Sequence, residues 1–339
     1  MSVAVLIPTL RRPESLERTL RSVFAQERLT ELAAEIVVAD NAPEGSALAV
    51  VDRLRALSPV PLRYVHAPKP GVATVRNAGL AGVSAEHVAF IDDDETAPPP
   101  WLAALHAAHT ALGADVTFGP VHGRAPGARP DEREHVERFF SRRRPEPTGL
   151  IGDTDGCGCG NSMMRRASAL AGSAPFDTGA DVIGGEDDRL FGRLAAAGGR
   201  FGWAADAPVD EEVPASRATA AYVLKRAMAM GQGPPRIRLR RTPADPVGAA
   251  GWMLVGAAQL LWHGGAALAL KLAGRPSWLR QADRASRGLG KVVFWPELAF
   301  YGAGAASAAA SPSVAVSPAG LGSASRVSSA TKITQVKSL

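Results

Sequence analysis

Phe90-Ile-Asp-Asp-Asp-Glu95 delivers three consecutive aspartates at the end of an apolar run. Clustered carboxylates repel one another unless a cation sits among them. Asp92 and Asp94, two apart, can point to one side and hold Mg²⁺ or Mn²⁺ through oxygen. Such a cation would neutralise a diphosphate and help it leave. Asp92 and Asp93 are also candidates to contact the nucleotide. A second acidic group, Gly184-Gly-Glu-Asp-Asp188, opens an apolar-periodic segment marked by Leu190, Phe191 and Leu194. Helix capping alone accounts for one carboxylate at such a place. Three acids behind two glycines exceed that need, and Asp187, short and anchored, suits a general base with Glu186 beside it. The simpler readings are a solvated acidic turn for the first group and a capped helix for the second.

Three further places suit a nucleotide. Pro8-Thr9 ends the first apolar run where other sheet enzymes carry a phosphate-binding glycine loop. No GxGxxG stands there, which disfavours a dinucleotide-binding enzyme. Asp40-Asn41 ends a second apolar run and could read a base or ribose edge, or form an ordinary Asx turn. Lys69-Pro-Gly-Val-Ala-Thr-Val-Arg-Asn77 opens a helix. Gly71 permits close backbone approach there, and Arg76 could reach nucleotide oxygens or brace helix against sheet.

Alternating strand and helix signals must position these residues. Val3–Ile7, Glu35–Asp40, Leu62–Val65, His87–Ile91, Asp115–Gly119, Gly160–Arg166 and Arg200–Trp203 read as strands. Pro13–Phe24, Ser46–Leu57, Val72–Val83, Pro100–Leu112, Glu186–Ala197 and Ser216–Met230 read as helices. The aspartate triplet then falls at the carboxyl end of a strand, where ligands bind in open α/β sheets. Residues 122–150, rich in Arg, Pro and Gly, read as a long irregular excursion with one short helix near Glu134–Phe140.

The chain of 339 residues, 46% hydrophobic and 21% charged, has an ordinary globular balance. Its net charge of +5 is unevenly spread. Basic residues dominate 236–291, which points to an anionic partner such as lipid headgroups. No basic stretch carries interleaved stacking aromatics, so nucleic acid is not the expected partner. Residues 246–270 contain no Asp, Glu, Lys or Arg but are rich in Gly and Ala. Arginine clusters flank them on both sides. Spanning would send one basic flank away from the cytoplasm, so an in-plane segment fits better. The expected divisions are 1–235 catalytic, 236–309 membrane-associating and 310–339 disordered. Cys157 and Cys159 are too close for an ordinary disulfide and too few for a four-ligand zinc site. A cytoplasmic place, peripheral at the inner face of the plasma membrane, is the expected location.

Taken in order, these motifs resemble the inverting glycosyltransferase family 2. Val5-Leu-Ile-Pro-Thr9 is similar to its opening strand, and Val38-Ala-Asp-Asn41 to its base-binding turn. Gly71–Gly79 resembles its G…RN.G helix, and Asp92–Asp94 its DxD site. Gly160-Asn-Ser-Met-Met-Arg-Arg166 resembles the acceptor-side strand, and Gly185-Glu-Asp187 the ED motif. The resemblance implies a GT-A fold, a mixed and mostly parallel sheet flanked by helices, here with a C-terminal apolar and basic helical appendage. It implies Asp187 as the base that deprotonates an acceptor hydroxyl, and in-line displacement of a nucleotide diphosphate with inversion. It implies Asp94 on the metal, Asp92 on metal or ribose, Asp40 on the base, and Pro8 and Thr9 framing the nucleotide pocket. Two features depart from the family: Arg189 stands where an acid is common, and Asp210-Glu-Glu212 where a late histidine often ligates the metal. A QxxRW motif is missing, which argues against a polymerising synthase. Arg284–Lys291 is similar to the tail of succinoglycan-type exopolysaccharide transferases, which implies a saccharide or lipid-linked saccharide acceptor. A sugar nucleotidyltransferase would need a glycine-rich loop that Thr9-Leu-Arg-Arg-Pro13 lacks. A non-catalytic nucleotide-binding scaffold at the membrane would be expected to have lost one of the two acidic groups.

Overall fold

The computed structural model describes residues 2–181 and 184–298. Strand β1 (Val3–Thr9) lies at the centre of the first half and is buried along almost its whole length. Its side chains alternate between two cores: Val3, Val5 and Ile7 face one, Ala4 and Leu6 the other. A strand covered on both faces reads as a continuous apolar run, which is why β1 shows no polar alternation. Helix α1 (Pro13–Phe24) packs Leu16, Leu20 and Val23 onto the first core, with Pro13 at its first turn. A short helix α2 (Leu29–Leu32), not expected from the sequence, leads into β2 (Ala33–Asp40). Then come α3 (Leu48–Arg55), β3 (Leu62–His66), α4 (Val72–Leu80) and β4 (His87–Phe90).

After the aspartate triplet the chain makes β5 (Glu95–Thr96), α5 (Trp101–Leu112), β6 (Val116–Phe118), β7 (Val121–Arg124) and α6 (Arg133–Phe140). It continues through β8 (Gly149–Ile151), β9 (Ser162–Arg165), a 3₁₀ turn at Thr178–Ala180, α7 (Glu186–Ala196), β10 (Phe201–Trp203) and β11 (Val209–Glu212). The main sheet has eight strands in the order β3-β2-β1-β4-β9-β6-β10-β8. The pairs β1–β2, β2–β3, β1–β4 and β6–β10 are parallel, while β9 runs antiparallel between β4 and β6, and β8 antiparallel to β10. A second sheet, β5-β11-β7, stands beside the triplet. The excursion at 122–150 is therefore less irregular than expected. It contributes β7 and β8 as well as the expected short helix.

The C-terminal part is a layer of helices: α8 (Ala220–Gly231), α9 (Gly233–Leu239), α10 (Pro246–Leu272) and α11 (Trp278–Val292). The expected boundary at residue 235 falls within α9. Leu279 of α11 is fully buried in a small core with Ala125, Val136, Val213 and Val223. The stretch expected to be disordered, 310–339, lies outside the described residues.

Candidate active site

Strands β1, β2 and β4 run parallel, so their carboxyl ends deliver Pro8-Thr9, Asp40-Asn41 and Asp92–Asp94 to one edge of the sheet. The triplet is held from several directions. Thr9 Oγ1 donates to Asp93 Oδ2 at 2.7 Å. Arg12 Nη1 donates to Asp93 Oδ1 at 3.1 Å and to Asp94 Oδ2 at 2.5 Å. Asp93 is thus turned into the protein beneath the β1 loop. Burial pushes its carboxyl up to about 7, against the pull of Arg12. Burial likewise raises Asp94, and the charge of Asp92 adds to the rise while Arg12 opposes it.

Asp40 and Asn41 also point inward. The Asp40 carboxylate accepts from Ala42 N at 2.9 Å, Ala47 N at 2.7 Å and Tyr64 Oη at 3.1 Å, and the residue is fully buried. Asn41 Nδ2 donates to the carbonyls of Ala67 and Lys69, and its Oδ1 accepts from Gly71 N at 2.8 Å. These side chains brace the loops around the edge, and a base would meet Asp40 only after those bonds open. Gly71, at φ 149°, is needed for close approach, though of a different partner than expected. A Cβ there would overlap the Asp181 carboxylate. Asp181 accepts from Ala73 N and from the Thr74 hydroxyl, so the protein's own acid occupies the start of α4.

Arg76, 5% exposed, joins the two acidic groups. Its guanidinium pairs with Glu186 and stands 3.8 Å from Asp92 Oδ1, with its carbon 5.5 Å from the Phe176 ring centre. Glu186 is raised by burial and by its neighbour Asp187, with Arg76 opposing. Asp187 sits in the first turn of α7 and is half-buried. A Cβ on Gly158 would lie 3.5 Å from Asp187 Oδ2 and 3.4 Å from Arg142 Nη1. A cavity of about 130 Å³ opens there, lined by Gly158, Cys157, Arg142, Asp155, Phe118 and Trp203.

Arg142 went unnoticed in the sequence. It follows α6 and pairs through its backbone with Val121. Its Nη2 stands 2.9 Å from Glu95 Oε1 and 3.9 Å from Glu211 Oε2. Burial, with Asp94 and Asp92 adding to it, lifts Glu211 to about 7 against Arg142, and burial holds Glu95 far above the usual carboxylate range. The sequence signal for it was its place among three consecutive arginines just past the short helix expected in that excursion.

Asp92 and Asp94 each have their own cationic neighbour, and they border different spaces. Asp94 lines a cavity of about 340 Å³ with Ser15, Arg18, Arg124, Asp210 and Glu212. Asp92 presses against Gly160, where a Cβ would overlap its carboxylate. Among the described residues no three His, Cys, Asp or Glu side chains are grouped to hold a metal ion. The hard carboxylate oxygens of Asp92 and Asp94 are the donor type a divalent cation takes, and the charge of Asp92 raises Asp94, but Arg76 and Arg12 already stand beside them.

The family model for glycosyl transferase family 2 matches residues 4–171. The succinoglycan biosynthesis protein ExoM of Rhizobium meliloti (strain 1021) is 33% identical over 232 residues, covering 68% of this chain and 74% of that protein. Validoxylamine A glucosyltransferase of Streptomyces hygroscopicus subsp. jinggangensis (strain 5008) is 33% identical over 145 residues, 40% of this chain and 33% of its own length. Among solved structures, S. aureus TarS 1–349 in complex with UDP-GlcNAc aligns with TM-score 0.51 and 15% identity, over 87% of this chain and 91% of that one. Its complex with UDP gives TM-score 0.50 and 19% identity over 66% of each chain.

Proposed function

The chain belongs to glycosyl transferase family 2 and has the GT-A fold; from that premise we propose that it moves a single sugar from a nucleotide-diphosphate sugar to a saccharide acceptor carried on a lipid, with inversion. One observation carries this reading: Arg76 pairs with Glu186 and stands 3.8 Å from Asp92, which supports a single site served by both acidic groups. The nucleotide lies along the edge formed by Pro8-Thr9 and the loops that Asp40 and Asn41 brace. Asp187 takes the proton of the acceptor hydroxyl. That oxygen bonds to the anomeric carbon from one side as the bond to the diphosphate breaks on the other. Arg76, fixed by burial, holds Glu186 in place beside the base. Asp92 and Asp94 would hold Mg²⁺ or Mn²⁺, which when bound supplies charge neutralisation to the leaving diphosphate. The relationship to a succinoglycan biosynthesis protein supports a polysaccharide product, and the UDP complexes of TarS support a nucleotide-sugar donor. The basic helices from residue 236 onward support a peripheral place at the cytoplasmic face of the plasma membrane.

Asp187→Asn tests the base. Transfer should fall by three orders of magnitude or more, about 4 kcal/mol in the barrier. Thermal stabilisation by nucleotide diphosphate with Mn²⁺ should be retained. Transfer by this variant at the wild-type rate would remove Asp187 from its role. Asp94→Ala should instead abolish the part of that stabilisation that depends on Mn²⁺.

A further inference from the structure

We propose that the outer face of α10 lies in the plane of a bilayer surface carrying anionic lipids, docking the enzyme without crossing the membrane. This rests on the membrane-held acceptor proposed above and says which surface makes the contact and how. The helix is long and apolar enough to span, yet little of it is buried in the protein. Its polarity is reversed from that of a water-facing helix. Gln259 and His263 turn inward: Gln259 Oε1 accepts from Lys291 Nζ at 2.9 Å, and His263 Nδ1 lies 2.7 Å from Gln281 Oε1. The residues turned outward are apolar. Leu254, Leu261 and Trp262 are 74%, 77% and 77% exposed, and Val247 and Leu268 continue the same line at seven-residue spacing. A solvent-facing patch of this extent marks an interaction site.

The breadth and surroundings of the face select lipid over a second copy of the chain. A two-stranded helical seam needs apolar residues at two positions in seven, flanked by charge. Here the flanks Ala250, Met253, Val255 and Ala269 are exposed and apolar as well. The charge lies at the ends and edges instead. Arg241, Arg275, Arg280 and Arg284 are exposed, with no ion pair among the described residues. Across 236–291 only Asp245 and Asp283 oppose the basic residues. Basic side chains around an apolar face meet anionic headgroups while that face enters the acyl boundary.

Crossing is excluded by what α10 is fastened to. Gly256 and Gly288 meet so closely that a Cβ on either would stand under 3 Å from the other's carbonyl oxygen. Lys271 Nζ stands 4.6 Å from the Trp278 ring centre at the other end of the pair. Helix α11 is welded in turn to α8, where a Cβ on Gly290 would overlap the Met228 carbonyl. Submerging α10 would drag Arg280, Asp283, Arg284 and Arg287 of α11 into hydrocarbon, where charged side chains are costly to place.

Flotation of the full chain with vesicles tests this. It should float with phosphatidylcholine–phosphatidylglycerol vesicles, barely with phosphatidylcholine alone, and be stripped by alkaline carbonate. The L254E/L261E variant should lose binding roughly tenfold or more, and R280Q/R284Q about tenfold. Brominated lipid should quench the wild type more than Trp262→Phe. Thermal stabilisation by nucleotide diphosphate should be the same in every variant, so loss of docking is read apart from loss of the transfer reading. Four results would overturn the proposal: no binding to anionic vesicles, full binding by both variants, resistance to carbonate, or a dimer in solution that L254E/L261E converts to one copy. Binding seen only after residues 299–339 are removed would also overturn it, by giving the face to the chain's own terminus.

Discussion

Two arginines, Arg76 buried and Arg142 half-buried, organise the acids of this site, and each is paired in a way that leaves its buried partner costly without it. Removing one member of a buried ion pair exposes the other to the full desolvation penalty, about 3–5 kcal/mol. Arg76→Met should therefore lower the free energy of unfolding by roughly that amount, read from urea denaturation, because Glu186 is left uncompensated. Adding Glu186→Gln should recover a good part of the loss, since the two changes share one contact and do not add. A double variant no more stable than Arg76→Met alone would show that Arg76 acts on something other than Glu186. Arg142 answers to a larger set. Glu95, fully buried, and Glu211 both lean on it, so no single carboxylate substitution should rescue Arg142→Met.

At the scale of elements, the far end of β4 carries a device unrelated to the chemistry. His87 of β4 packs its ring 4.8 Å from His109 and 6.0 Å from His106, both on α5. Burial holds all three below the ordinary value of 6.5, His109 at about 3. His109 Nδ1 meets Thr117 Oγ1 at 2.9 Å on β6. The folded protein thus binds these protons more weakly than the unfolded chain does. Their contribution is complete above pH 6.5 and is lost as pH falls below it. The raised carboxylates Asp93 and Glu211 titrate with the opposite sign, so the total pH profile mixes the two. The informative measurement is the urea midpoint of wild type and His109→Gln at pH 8 and pH 5. The fall on acidification should be smaller in the variant, and equal falls would contradict the linkage.

Across the whole molecule, glycines set how the helical layer is stacked. Gly231 on α8 meets α11 at the Arg287 carbonyl, Gly290 on α11 meets α8 at the Met228 carbonyl, and Gly256 and Gly288 close the next layer. Helix α11 also reaches the sheet side, where His135 on α6 stands 3.8 Å from Asp283. The helical layer is therefore closely packed from α8 through α11 to α10, and α11 also meets α6. Gly290→Val should cost about 1–3 kcal/mol by forcing the helices apart. It should also loosen vesicle binding without moving the affinity for nucleotide diphosphate. Unchanged thermal stability in this variant would mean that the layers tolerate separation.

The sequence by itself determined the parallel half of the sheet and the order of its ligand-bearing ends. Runs such as Glu35–Ala39 and His87–Ile91 leave a doubly covered strand little alternative, and Asp40 and Asp92 follow them directly. It also determined the helix behind Glu186-Asp187, whose apolar period is unbroken. What it could not decide was direction and partnership. Three adjacent aspartates look equivalent as letters, yet Thr9 and Arg12 turn Asp93 inward and leave Asp92 beside Arg76. Asp40 and Asn41 look like ligand readers, yet the loops at 42–47 and 67–71 consume their hydrogen bonds. The small sheet was hidden because Val121-His-Gly-Arg124 and Val209-Asp-Glu-Glu212 are too short and too polar to carry a period. They are strands only because they lie beside each other. Arg142 was hidden for the same reason: its importance comes from Glu95 and Glu211, far away in the chain and brought near by pairing across the sheets. Local composition is written in the sequence, but the accounting of buried charge closes only when distant residues meet.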